Sequence, residues 1–75
     1  MNTELNIGNK IRDLRNKNGL TQQELADRVE LTKSFISQIE NEATIPSITT
    51  LVSIVECLGS NLSDFFYDEK EDGIV

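Results

Sequence analysis

Residues 21–41 read TQQELADRVELTKSFISQIEN, and two short helical patterns joined by a tight turn are written into them. Thr21 followed three residues later by Glu24 has capping-box spacing: hydroxyl and carboxylate each satisfy a backbone N–H that a helix start leaves without a partner. Leu25, Ala26 and Val29 then recur on one helical face, and Leu31 follows in the turn. Thr32 offers a second N-cap to a helix carrying Ile36 and Ile39. Two helices this short cannot bury their own apolar stripes, so they must belong to a larger helical unit.

The flanking residues supply that unit. Upstream, Thr3 to Asn6 offer several caps, and Ile7, Ile11 and Leu14 fall at i, i+4 and i+7. Asn18-Gly19 closes this first helix, because glycine just past the last turn takes the left-handed conformation without a Cβ penalty, and Leu20 re-enters the core. Downstream, Glu42 to Pro46 is a loop with proline as the breaker. Ser47 then caps the longest apolar pattern in the chain, Ile48, Leu51, Ile54, Val55 and Leu58, which Gly59 stops. Asn61 begins a last short helix with Leu62, Phe65 and Phe66 apolar; two adjacent Phe cannot both face inward fully, so either one is partly exposed or both close the core. The expectation is an all-α, compact five-helix bundle with helices near 6–18, 22–29, 33–41, 47–58 and 62–67. Residues 1–67 form the domain, and 68–75 an acidic tail or linker.

Seventy-five residues allow one domain and a modest core. Three Phe and one Tyr, no His, no Trp and one Cys leave few tools for catalysis or metal binding, so no enzyme activity, metal or cofactor is expected. Cys57 lies within an apolar helical run and reads as a core or flank residue; a disulfide framework is excluded. MNTELNIGNK is not a signal sequence, and no run approaches the ~18 apolar residues of a membrane span, so the chain reads as cytoplasmic without membrane contact.

The net charge of −6 argues against a polyanionic partner until its distribution is counted. Up to Asn41 there are six acids and six bases; from Glu42 onward, seven acids face Lys70 alone. The two central helices thus sit in a neutral segment, with fewer phosphate contacts to offer than a basic one, and one copy should bind nucleic acid weakly.

Ordered as LTQQELAxxxxLTKSxISQIEN, the central stretch resembles the helix-turn-helix of the lambda repressor/Cro (Xre-type) family of DNA-binding regulators, and the resemblance extends from about Ile7 to Phe66. It implies that the second helix, about Lys33 to Asn41, enters the major groove of double-stranded DNA. Base-reading positions of the family match Lys33, Ser34 and Gln38, with Ser37 close by. These are short or amide side chains plus one cation, the types that hydrogen-bond base edges. Phosphate-contacting positions match Gln22 and Asn41, and the N-terminus of the fourth helix, with the Ser47 and Thr49 hydroxyls, presents a further phosphate-binding end. Phe35 either packs against the neighbouring helices or touches a thymine methyl, and packing is favoured.

The resemblance also pairs Arg15 with Glu40, tying the first helix to the end of the recognition helix; an exposed pair would add at most ~1 kcal/mol, so its value would be orientation unless it is buried. Two positions depart from the family pattern. Where Gly is usual, Glu30 stands, and a left-handed backbone there costs ~1–2 kcal/mol, expected as tolerated strain. After Asn41 the family more often has Gly and then a basic residue; here Glu42 stands near the expected phosphate.

A regulator of this type, in particular a repressor, binds an operator of two half-sites as a homodimer, and Phe65, Phe66 and Tyr67 are the candidate dimerisation residues. No small molecule is expected on this domain. YDEKEDGIV (67–75) resembles the linker that precedes a ligand-sensing domain in longer family members. The alternative is a protein-interaction or antitoxin-like module on the same fold, for which the acidic charge speaks; binding to random duplex at low salt separates the two.

Overall fold

Each of four helix starts carries a side-chain cap, all from i to i+3. In the computed structural model, which describes residues 6–67, Thr21 Oγ1 accepts from the Glu24 N–H at 3.0 Å while the Thr21 N–H donates to Glu24 Oε1 at 2.8 Å, and α2 runs Gln22–Val29. Thr32 caps α3 (Lys33–Glu40), Ser47 caps α4 (Ile48–Cys57) and Asn61 caps α5 (Leu62–Phe66). Such a cap contributes ~1 kcal/mol, enough to fix where short helices begin. The exception is α1 (Ile7–Lys17). Asn6 stands at its N-cap position but is left-handed, at φ 53°, and its side chain makes no capping bond, contrary to the expectation for Thr3 to Asn6; Thr3 lies outside the described residues, as does the expected tail 68–75.

The helix ends share one geometry. After α1, α2, α3 and α4, a left-handed residue lets the following N–H reach back five positions: Leu20 to Arg15, Leu31 to Ala26, Ala43 to Gln38 and Ser60 to Val55, at 2.8–3.1 Å. Two of the left-handed residues are Gly19 and Gly59, but the other two are Glu30 (φ 61°) and Glu42 (φ 62°). The strain expected at Glu30 is therefore present, and a second instance follows the recognition helix.

Among the described residues all regular structure is helical, and α3 packs against α1 and α2, α4 against α2 and α5. Ile11, Leu25, Ala26, Ile36, Ile39, Leu51, Ile54, Val55, Leu58 and Phe65 form the core, and each fully buried aliphatic side chain contributes ~1.5–3 kcal/mol. Ile7, Leu14, Leu20, Val29, Leu31, Phe35, Cys57 and Leu62 pack around it. Ile48 is a correction: it is 62% exposed, and the buried apolar residue at the start of α4 is Pro46 instead. Of the two adjacent phenylalanines, Phe65 turns into the core and Phe66 out, their rings meeting edge to face. Lys10 donates to the Phe65 carbonyl at 3.0 Å and lies within 6 Å of both rings, joining α1 to α5. No helix among the described residues is long and apolar enough to cross a membrane.

Candidate nucleic-acid interface

The inner side of α3 decides what its outer side can present. Ile36 and Ile39 are fully buried and Phe35 packs half-buried against the core, so Lys33, Ser34 and Gln38 are left exposed along the opposite face, with Ser37 half-buried beside them. Four residues expected at base edges thus lie on one eight-residue helix. Phe35 takes the packing position of the two that the sequence left open.

The end of this helix is fastened by a buried carboxylate. Glu40 is 1% exposed and is the one charged residue in the described core. Arg15 Nε donates to Glu40 Oε2 at 2.6 Å and Nη2 to Oε1 at 3.0 Å, a two-point contact whose geometry tolerates no slippage. Gln22 Nε2 adds a third donor to Oε1 at 3.0 Å, and Arg15 Nη1 also holds the Leu20 carbonyl at 2.8 Å. Burial raises the Glu40 pKa, but hydrogen bonds from Arg15 and Gln22 and the charges of Arg15 and Arg12 outweigh it and hold the carboxyl below its ordinary value. The Glu40 hydrogen bond holds Arg15 above its own ordinary value, against a smaller opposing effect of burial. Because the pair is buried, truncating one partner leaves the other without its main counter-charge and costs up to ~3–5 kcal/mol, far more than a surface pair.

Around this carboxylate α1 approaches α3 unusually closely. A Cβ on Gly8 would collide with the Ile39 carbonyl oxygen and lie 2.9 Å from both the Glu40 carbonyl and Glu42 Oε2. Glycine is required here by the neighbouring backbone. The same contact brings Glu42 Oε2 to the Asn9 N–H at 3.2 Å, so the carboxylate stands where α1 lacks a cap of its own. Neither residue was marked by the sequence for this junction, because nothing local to Gly8 or Glu42 announces a contact more than thirty residues away.

Of the residues expected at phosphate, Asn41 and Gln22 are joined to this end of α3 and Ser47 and Thr49 lie at the start of α4. Asn41 is exposed; its Oδ1 accepts from Arg12 Nη2 at 3.3 Å and its Nδ2 lies 3.4 Å from Ser37 Oγ. Gln22, half-buried, gives one amide hydrogen to Glu40. Ser47 Oγ accepts from the Thr50 N–H and donates to Thr50 Oγ1, so its hydroxyl is engaged while Thr49 is exposed. On α5 and just past it, Phe66 and Tyr67 are 36% and 54% exposed, whereas Phe65 is core. No group of three potential metal ligands lies together among the described residues.

The family described as Helix-turn-helix matches residues 11–65. The chain belongs to this helix-turn-helix family, of the Xre or lambda-repressor type. It is a fold of DNA-binding transcriptional regulators rather than of enzymes. The HTH-type transcriptional regulator PuuR of Escherichia coli K12 is 38% identical over 66 residues, which cover 87% of this chain and 36% of PuuR. This chain therefore spans little more than a third of that helix-turn-helix regulator. Among solved structures, the master regulator for biofilm formation SinR, in complex with DNA, matches with a TM-score of 0.74 and 31% identity over 81% of this chain and 98% of its own. The restriction-modification controller protein C.Esp1396I, a tetramer in complex with its natural 35 base-pair operator, matches with a TM-score of 0.74 and 29% identity over 83% and 82%.

Proposed function

We propose that this domain is a sequence-specific transcriptional regulator, a repressor, that binds double-stranded DNA as a homodimer on an operator of two half-sites. The observation that carries the proposal is the exposed face of α3: Lys33, Ser34 and Gln38 stand free of the core on a helix whose far end is locked by a buried ion pair. Base reading demands side chains that hydrogen-bond and a helix held in register, and the residue types on this face and the Arg15–Glu40 contact support the reading. Lys33 suits guanine, Gln38 adenine, and Ser34 and Ser37 either. Gln22, Asn41, Ser47 and Thr49 fix the register on the backbone, with Ser47 acting through the α4 start that it caps rather than through a spare hydroxyl.

Dimerisation is supported by the exposed aromatic surface of Phe66 and Tyr67 and by the modest charge of the reading head, which gives a single copy little affinity. Phe65, expected at the same surface, is buried in the core and meets Phe66 only edge to face, so the contact is left to Phe66 and Tyr67. The place of action is the cytoplasm, with the DNA. Retention on random-sequence duplex at low salt, followed by selection of a preferred site from a random library, tests the function. A protein that binds neither is the interaction or antitoxin-like module instead. Ultracentrifugation at micromolar concentration tests the dimer, and a strict monomer both free and on DNA overturns it.

A further inference from the structure

Arg12 is the second cation at Glu40, and its charge is not used up there. The Glu40 oxygens take hydrogen bonds from Arg15 Nε, Arg15 Nη2 and Gln22 Nε2, while Arg12 Nε stands off at 3.6 Å. Two guanidinium groups on one carboxylate leave one positive charge in surplus. Exposure says where it resides: 41% of the Arg12 side chain is exposed, against 12% for Arg15 and none for Glu40. Arg12 Nη2 meanwhile donates to the Glu40 carbonyl at 3.1 Å and to Asn41 Oδ1 at 3.3 Å, which places the cation at the C-terminal end of α3.

The bond to Asn41 has a second effect. A phosphate oxygen only accepts hydrogen bonds, so an Asn that met it with Oδ1 would repel it. With Oδ1 held by Arg12, the amide is fixed with its NH2 group outward, one hydrogen directed at Ser37 Oγ and the second available to a phosphate. We propose that Arg12 is a DNA-phosphate contact beside Asn41, concentrating positive charge at the end of α3 in a reading head that is neutral overall and orienting the Asn41 amide to donate to the same stretch of backbone. This rests on the DNA-binding role proposed above and adds to it a residue of α1, outside the helix-turn-helix itself.

The test uses random-sequence duplex, because a phosphate contact is blind to the base, and measures affinity of the full chain between about 50 and 200 mM salt. Arg12→Ala should flatten the slope of log affinity against log salt by about 0.9 per bound copy, so that over this range the wild type loses about 3–4-fold more affinity than the variant. Arg12→Lys, which keeps the charge, should retain the wild-type slope. Arg12→Gln removes the charge while keeping amide donors near the Glu40 carbonyl, and serves if melting shows the alanine variant to be unfolded. An unchanged slope in a folded Arg12→Ala or Arg12→Gln protein overturns the assignment, as does a lysine variant as flat as alanine. Wild-type protein with no affinity for duplex at low salt would overturn the DNA-binding role itself, a distinct failure.

Discussion

Gln22 Nε2 donates to Glu40 Oε1 at 3.0 Å, tying the first residue of α2 to the last residue of α3. Arg15 reaches the same carboxylate from α1, so three helices meet on one buried side chain. Glu40→Ala or Arg15→Ala should each cost up to ~3–5 kcal/mol, and the double variant should cost clearly less than the sum, because the second truncation removes a charge already stranded. Urea denaturation of the four proteins checks this; additive losses would mean that the pair is not coupled.

The same carboxylate makes stability depend on acid. Glu40 is held below its ordinary value in the folded state, so its contribution is complete above the ordinary carboxylate range and is lost as pH falls through the depressed folded value. Melting temperatures recorded from neutral pH downward should therefore fall more steeply for the wild type than for Glu40→Gln, which starts lower and carries no titrating group there. Parallel curves would assign the acid sensitivity to other carboxylates.

Replacing Gly8 by Ala should destabilise the protein by ~1–3 kcal/mol, although alanine is the better helix former by ~1 kcal/mol. The Glu42 carboxylate could swing aside from the added methyl, but the Ile39 and Glu40 carbonyls belong to the last turn of α3 and could not. A gain in stability would show that α1 and α3 part more readily than their packing implies.

Glu30 and Glu42 are both left-handed, yet they should respond differently to glycine. Glu30→Gly removes a ~1–2 kcal/mol conformational cost at the price of added chain entropy and should stabilise the fold by about 0.5–1 kcal/mol. Glu42→Gly gains the same relief but strips the acceptor from the Asn9 N–H, so it should be the less stable of the two. Equal effects, measured by chemical denaturation, would reduce the Glu42 contact to a bystander.

Specificity and affinity should separate by residue. Gln38→Ala should cost ~1–3 kcal/mol on a selected operator, much less on scrambled duplex, and relax preference at one base position per half-site. Asn41→Ala should weaken both nearly equally. Titrations at fixed salt decide; an unchanged operator-to-scrambled ratio in both Gln38→Ala and Lys33→Ala would mean that α3 is not the reading element.

What the chain discloses in one dimension is what is local. The caps at Thr21, Thr32, Ser47 and Asn61 act within one turn, so each is legible from residue types three apart. The core stripe and the inward turn of Ile36 and Ile39 follow from helical period alone. Arg15 and Glu40 lie 25 residues apart and became legible only through a family resemblance, since no periodicity links them. Gly8, Arg12 and the Asn9–Glu42 bond escaped because they depend on how closely α1 crosses the end of α3, a quantity that local pattern does not encode. Ile48 was misplaced for a related reason: a stripe gives the face of a helix but not where along it the core stops.

The borrowed cap on α1 also orders events in time. The first turn of α1 closes locally through the Lys10 N–H and the Asn6 carbonyl at 3.0 Å, but the Asn9 N–H finds its acceptor only when a carboxylate 33 residues further along has docked. The caps of α2 and α3, by contrast, are present as soon as those segments are. The first turn of α1 is thus expected to open more readily than the self-capped starts of α2 and α3, and the Asn9 amide should exchange with solvent ahead of its counterparts at Glu24 and Phe35. Weakening the Glu42 contact should accordingly speed unfolding while leaving the rate of folding nearly untouched.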